Sequence, residues 1–247
     1  MKKQSKSQPK KRLVMITGDK GGTGKSTFAR GLLDIYRYQD IACRAYDGDR
    51  RNAQLYRHYQ NTDDGVTEID IATQGAADEL LDSLESNPAP ITMIDMPAGS
   101  GKWFEALDRD VELIQTAAEW DCRLTLVSVM SPVKDSINAL RILMDYCDDR
   151  VDYIAVKNLQ FGEEAEYEQF RDSKTHERFL THQGREITMP KLFRASYNLV
   201  DKHDLTFRAA AQTGSLLTLS HRSRVNQWLR QLEPEISQAG IYLGMGG

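Results

Sequence analysis

Leu13-Val14-Met15-Ile16-Thr17-Gly18-Asp19-Lys20-Gly21-Gly22-Thr23-Gly24-Lys25-Ser26-Thr27 is the stretch from which the rest of the chain is read. A five-residue apolar run passes into a glycine-rich turn that ends Gly-Lys-Ser. That ending marks a phosphate-binding loop: backbone N–H groups cradle phosphates, the lysine reaches the terminal ones, and the hydroxyl holds Mg²⁺. Gly21, Gly22, Thr23, Gly24, Lys25, Ser26 and Thr27 form the expected cradle, with Ser26 on the metal. Phe28, Leu32, Ile35 and Tyr36 then recur at spacings of 4, 7 and 8, a helical pattern. Strand, loop and helix thus follow in the order the motif requires, and the helix N-terminus adds its own attraction for anions. The first glycine of the common pattern falls at position 19, where Asp stands; Gly18 is one place early.

The second lysine narrows the reading. Lys20-Gly21-Gly22-Thr23-Gly24-Lys25-Ser26 resembles the loop of the ParA/MinD family of deviant Walker-A ATPases. The resemblance implies that ATP is the ligand and that Lys20 reaches across a dimer interface to the partner's nucleotide. It is closer to the ParA-like partition and conjugation members than to membrane-binding MinD.

Three later segments extend the likeness. Ile41 to Tyr46 reads as a short strand ending at Asp47-Gly48-Asp49. In an open parallel sheet, ligands bind beyond the carboxyl ends of the strands, so both aspartates fall beside the phosphates. Asp-Gly-Asp is also a common turn sequence. By the resemblance, Asp47 lies near Lys25 and the metal, and Asp49 positions the attacking water. The family's Pro-Gln after the second Asp is replaced by Arg50-Arg51. Ile91-Thr92-Met93-Ile94-Asp95 is a buried strand ending in a carboxylate, the Walker-B arrangement that orders a Mg²⁺ shell. Asp95-Met96-Pro97-Ala98-Gly99 resembles the family's second switch, with Gly99 offering an N–H to the γ-phosphate. Val151 to Asn158 is a further strand, and Asn158 matches the family's adenine-reading Asn; an amide can both donate to and accept from the base. The loop after a last strand at 186–192, from Pro190 to Phe193, is expected to pack on the base.

Composition bounds the remaining possibilities. The 247 residues suit one large α/β domain, 40% hydrophobic and 28% charged, with net charge −4. Residues 1–12 carry Lys2, Lys3, Lys6, Lys10, Lys11 and Arg12 and no acid, which predicts a disordered basic arm. It lacks the apolar centre of a signal peptide. No apolar run approaches the ~20 residues that span a bilayer. Cys43, Cys122 and Cys147 show no metal-binding spacing and suit a reducing cytoplasm.

Helices are expected over Ala76–Leu84, around Trp103, Phe104 and Leu107, over Asp135–Tyr146 with Ile137, Leu140, Ile142 and Leu143 inward, and over Glu163–Leu180 as one polar, solvent-facing helix. From Leu205 to Leu232 there is no acid, and Arg208, Arg222, Arg224 and Arg230 fall there, beside an apolar stripe of Val225, Trp228, Leu229 and Leu232. Related partition ATPases bind DNA through such C-terminal cations, and phosphate neutralisation needs no base contacts. Arg222, Arg224 and Arg230 are therefore the candidate DNA-binding residues. MinD-type members end in a basic amphipathic helix; here no Lys or Arg follows Arg230, which argues against membrane attachment.

The expected architecture is a doubly wound, mainly parallel sheet with helices on both faces, spanning 13–247 as one domain. Two function classes follow. One is an ATPase that dimerises on ATP, binds DNA non-specifically, answers to a protein adaptor and positions a plasmid, chromosome or other cargo at the nucleoid. The other is a metabolic or assembly ATPase of the same fold. The Cys-x-x-Cys pair of iron–sulfur carriers and the glutaminase domain of amidotransferase-type synthetases are both missing from the sequence.

Overall fold

The computed structural model describes residues 10–18, 20–63, 65–73, 75–86 and 89–245. Residues 1–9 of the expected arm, and Asp19 in the loop, lie outside the described residues. The chain runs β1 (Lys11–Thr17), α1 (Lys25–Tyr38), β2 (Cys43–Asp47), α2 (Gln54–Tyr59), β3 (Thr67–Glu68), α3 (Ala76–Ser86), β4 (Ile91–Asp95), α4 (Ser100–Val111), α5 (Leu113–Glu119) and β5 (Cys122–Met130). It continues through α6 (Lys134–Cys147), β6 (Asp152–Asn158), α7 (Glu168–Arg171), α8 (Lys174–Thr181), β7 (Arg185–Met189), α9 (Arg194–Lys202), α10 (Phe207–Ala211) and α11 (Leu219–Ala239).

Seven strands form one sheet in the order β3-β2-β4-β1-β5-β6-β7, and every pairing is parallel. The central strands are apolar without alternation because both faces are covered: all five residues of β4 and six of seven in β1 are buried. One face packs on α1, α10 and α11 through Phe28, Leu32, Phe207, Trp228 and Leu232. The other packs on α3 to α8 through Leu80, Phe104, Leu140, Leu143 and Phe179. With β1 and β4 central, the carboxyl ends of β1, β2 and β4 open on a common crevice.

Several boundaries differ from the sequence reading. β1 begins at Lys11, so Lys11 and Arg12 belong to the sheet and not to the arm. Arg12 is buried because Asp152, at the start of β6, pairs with it and the Tyr242 ring lies against its guanidinium. In α6, Ile142 is 45% exposed, whereas Leu140, Leu143, Met144 and Cys147 are buried. Those four keep the i, i+3, i+4, i+7 spacing, and Ile142 falls outside that stripe. The expected single helix over 163–180 is broken at Asp172-Ser173. The Ser173 hydroxyl accepts from the His176 N–H and starts α8 as a new helix. This segment also buries Tyr167, Phe170 and Phe179, so it is not a purely solvent-facing surface.

The C-terminal residues close the domain instead of extending from it. Tyr242, Leu243 and Met245 are buried. The Tyr36 hydroxyl donates to the Leu243 carbonyl at 2.6 Å, and Thr125 donates to the Tyr242 carbonyl at 2.6 Å. No helix among the described residues is long and apolar enough to cross a membrane.

Candidate nucleotide site

The loop between β1 and α1 is shaped by glycine. Gly22 and Gly24 hold φ of 83° and 98°, a left-handed backbone open at low cost only to glycine. Gly24 directly precedes α1, so the loop turns its N–H groups toward the helix N-terminus. Lys25 is 7% exposed and its stem lies along the start of the loop: a Cβ at Gly18 would stand 3.2 Å from Lys25 Cγ and Cδ. Gly18 therefore takes the close-approach role although it sits one place earlier than the common pattern.

A side chain that the sequence reading missed ties this loop to α4. Ser100 is buried, accepts from the Gly18 N–H at 2.8 Å, and donates to the Gly18 carbonyl at 3.1 Å. The only signal in the sequence was a serine between two glycines ahead of an apolar helical pattern. Gly99 caps α4 with φ 70°, and a Cβ built there would meet open space.

Asp47 and Asp95 end neighbouring parallel strands in direct register. The structure gives them different surroundings. Asp47 Oδ1 accepts from the Asp49 N–H at 3.0 Å and Oδ2 from the Tyr56 N–H at 2.9 Å. Burial nonetheless pushes its carboxyl up to about 6. Asp95 is 1% exposed; the Ser26 hydroxyl stands beside it, but neither of its oxygens makes a hydrogen bond of full geometry within the fold. Burial first, and then the neighbouring Asp47, push it up to about 8, while the Ser26 hydroxyl and the Lys25 ammonium pull it back. A buried carboxylate with two unpartnered oxygens needs a cation or a proton. Asp95 beside Ser26 fits Mg²⁺, and Asp47 organises the loop after β2. Among the described residues no group of three or more His, Cys, Asp or Glu could hold a metal alone.

Asp49 is half-buried, and its Oδ1 accepts from the Asn52 N–H at 3.3 Å in a turn. Arg50, standing where the family's Pro would be, pairs with Asp70 at 3.0 Å. Lys20 is exposed and pairs with Asp135 in the first turn of α6.

Beyond the loop lies a cavity of about 480 Å³, lined by Gly22, Gly24, Thr27, Asn158, Phe161, Pro190, Tyr197 and Trp228. It brings the loop, Asn158 and Pro190 together. The Asn158 amide N–H donates to the Thr23 carbonyl at 2.8 Å, and its Oδ1 accepts from the Gln160 N–H at 3.0 Å. Asn158 thus anchors the loop to the end of β6. A depression of similar size, about 530 Å³, lies between Arg37, Cys43 and Thr67 at the amino end of the sheet, away from this chemistry.

The three arginines of α11 do not form one cluster. Arg222 donates to the Leu217 carbonyl at 3.0 Å, Arg224 lies over the Phe193 ring at 3.9 Å, and Arg230 is exposed. At ~100° per residue, Arg222 and Arg224 flank the buried stripe on opposite sides and Arg230 points away from it.

A parallel sheet with a glycine loop and helix after its central strand, and a carboxylate ending the adjacent strand, is the fold of a P-loop NTPase. Among solved structures, the MinD cell division protein of Aquifex aeolicus matches with a TM-score of 0.55 at 14% identity, over 91% of this chain and 98% of that one. A nucleotide-binding protein from Archaeoglobus fulgidus, solved in complex with ADP, matches with a TM-score of 0.51 at 15% identity, over 78% of this chain and 87% of that one. The chain therefore shares the α/β fold of these two proteins. In sequence, Protein MobD of Acidithiobacillus ferrooxidans is 24% identical over 222 residues, 88% of this chain and 93% of that protein. No protein-family model matches the chain.

Proposed function

We propose that this chain binds ATP with Mg²⁺, hydrolyses it slowly, and in the ATP state forms a homodimer that binds DNA without sequence preference. Its role is to position or mobilise a DNA cargo, with a protein adaptor stimulating turnover. The observation that carries the nucleotide part is Asp95: a fully buried carboxylate with both oxygens unpartnered, beside Ser26 and Lys25 at the mouth of a glycine loop.

When bound, Mg²⁺ and the triphosphate supply charge neutralisation and a reactive γ-phosphoryl group. The chain's own groups do the rest. The N–H groups of Gly21 to Thr27 and the Lys25 ammonium hold the phosphates, Ser26 and Asp95 orient the metal shell, and Ser100 fixes the loop against α4. Asp49 orients the water, for which its side chain must leave the turn to Asn52. Lys20, released from Asp135, extends to the partner's phosphates.

Support for the DNA part is the acid-free stretch 205–232 with its arginines. A mobility shift of random-sequence duplex DNA, run with ATP, with ADP and without nucleotide, tests this reading. We expect a shift with ATP alone that falls steeply as salt rises. Arg222→Glu, Arg224→Glu and Arg230→Glu combined should abolish it while ATP binding is retained. Full DNA affinity in that triple variant would contradict the assignment of these arginines.

A further inference from the structure

We infer that Trp228 is a positioning residue of the nucleotide cavity, through which the C-terminal helix shapes the wall that faces the base. The inference rests on the nucleotide-binding reading above and adds a residue that no phosphate-loop motif contains.

Trp228 is 1% exposed and sits where three elements meet. Its indole N–H donates to the Pro190 carbonyl at 2.7 Å. Pro190 is the first residue beyond β7, where the ladder ends and its carbonyl has no strand partner. A buried indole N–H requires an acceptor, and the part-buried Pro190 carbonyl supplies it, so the ring and the end of β7 are held together. The far edge of the same ring lies against α1. A Cβ at Gly31 would stand 2.9 Å from Trp228 Cη2, so only glycine at that position lets the ring approach. Phe207 of α10 packs on the ring at 4.6 Å between centroids and limits its tilt.

The ring also lines the cavity shared by Gly24, Thr27, Asn158 and Pro190. It therefore joins the phosphate side, through α1, to the base side, through Pro190. An ordinary core residue would need only volume at this position. Trp228 contributes volume and one hydrogen bond that sets where the Pro190 wall stands relative to the loop. Removing the N–H while keeping an aromatic ring leaves the part-buried Pro190 carbonyl without its donor, and the wall relaxes.

The test uses the full chain and its tryptophan count. Trp103, Trp120 and Trp228 are the three present, so Trp103→Phe with Trp120→Phe leaves Trp228 as the sole reporter. ADP is titrated into wild type by calorimetry and into the sole-reporter protein by emission, and ATP hydrolysis is measured for wild type and Trp228→Phe. We expect a saturable emission change with the calorimetric midpoint. Trp228→Phe should raise Kd and KM about tenfold and leave kcat within about twofold, the size of one buried hydrogen bond. A purely structural role would lower thermal stability without moving KM apart from kcat. Calorimetric binding with unchanged emission, or wild-type affinity in Trp228→Phe, would overturn the inference. No ADP binding by wild type would instead overturn the nucleotide reading and this inference with it. If Trp228→Phe does not fold, the emission arm decides alone.

Discussion

The two walls of the proposed nucleotide cleft are built in opposite ways. The phosphate side is nearly continuous in sequence: Gly18 to Thr27, with Asp47 and Asp95 at the ends of adjoining strands. Its geometry comes from positive-φ glycines, a helix N-terminus and fixed backbone N–H groups. The base side is assembled from four distant segments: Asn158 with Phe161, Pro190, Tyr197 and Trp228. Of these, Asn158 and Pro190 were legible only through the family resemblance, and Asn158, Pro190 and Trp228 are held by long-range hydrogen bonds. A wall made of backbone tolerates little change in its few key side chains. A wall made of packed side chains loses affinity by increments.

That difference orders the predictions. The largest effect belongs to the phosphate side. Lys25→Ala removes the one buried ammonium beside the loop and should weaken ATP binding by at least about 100-fold, as charged hydrogen bonds are the strong ones. Calorimetry measures this directly; an unchanged Kd would dissolve the distinction between the walls. A middle effect belongs to the tether between them. Asn158→Ala leaves the Thr23 carbonyl without its donor, at a cost of about 1–3 kcal/mol. Roughly tenfold weaker binding of both ATP and ADP is expected, since Thr23 lies in the shared part of the site. Tenfold loss for ATP with none for ADP would place Asn158 elsewhere in the mechanism.

The smallest effect concerns the frame behind the base wall and should spare binding altogether. His58 is 4% exposed; its Nδ1 lies 2.9 Å from the Leu205 carbonyl, and it faces Arg30, Arg57 and Asp201. Burial first, then the two arginines, lower it to about 4 from 6.5. A base whose folded pKa is depressed favours the neutral form. Its contribution is complete above pH 6.5 and is lost as pH falls toward about 4. The loss is on the order of 2 kcal/mol. Asp34, raised to about 6 by burial, acts with the opposite sign over part of this window, so the comparison must be between proteins. Urea midpoints of wild type and His58→Asn from pH 7 to 4.5 should converge as pH falls. Parallel curves would remove His58 from the account.

How legible each part was in the sequence follows the same division. The parallel sheet, the loop, and Asp47 and Asp95 at strand ends are readable because both faces of a parallel sheet demand apolar strands and the loop demands glycine at fixed places. Ser100 and Trp228 were not. A serine hydroxyl reaching across 82 residues to Gly18, and an indole bonding a carbonyl 38 residues away, leave no local period. Trp228 read as one member of an apolar stripe, which it is; its N–H contact is invisible without the fold. Lys20 was read from its motif alone, and its pairing with Asp135 emerges only once α6 is placed beside the loop. The break at Ser173 was missed because a serine inside a polar helical run gives no sign that it caps a new helix.

The central claim is that Asp95 waits for a cation that arrives with ATP. Calorimetric titration of ATP into wild type and Asp95→Asn, each with and without Mg²⁺, tests it most directly. Wild type should bind ATP at least about tenfold more tightly with Mg²⁺ than without. Asp95→Asn, which keeps shape and removes charge, should bind ATP with the same affinity in both conditions. Equal Mg²⁺ enhancement in the two proteins, or no ATP binding by wild type, would contradict the account.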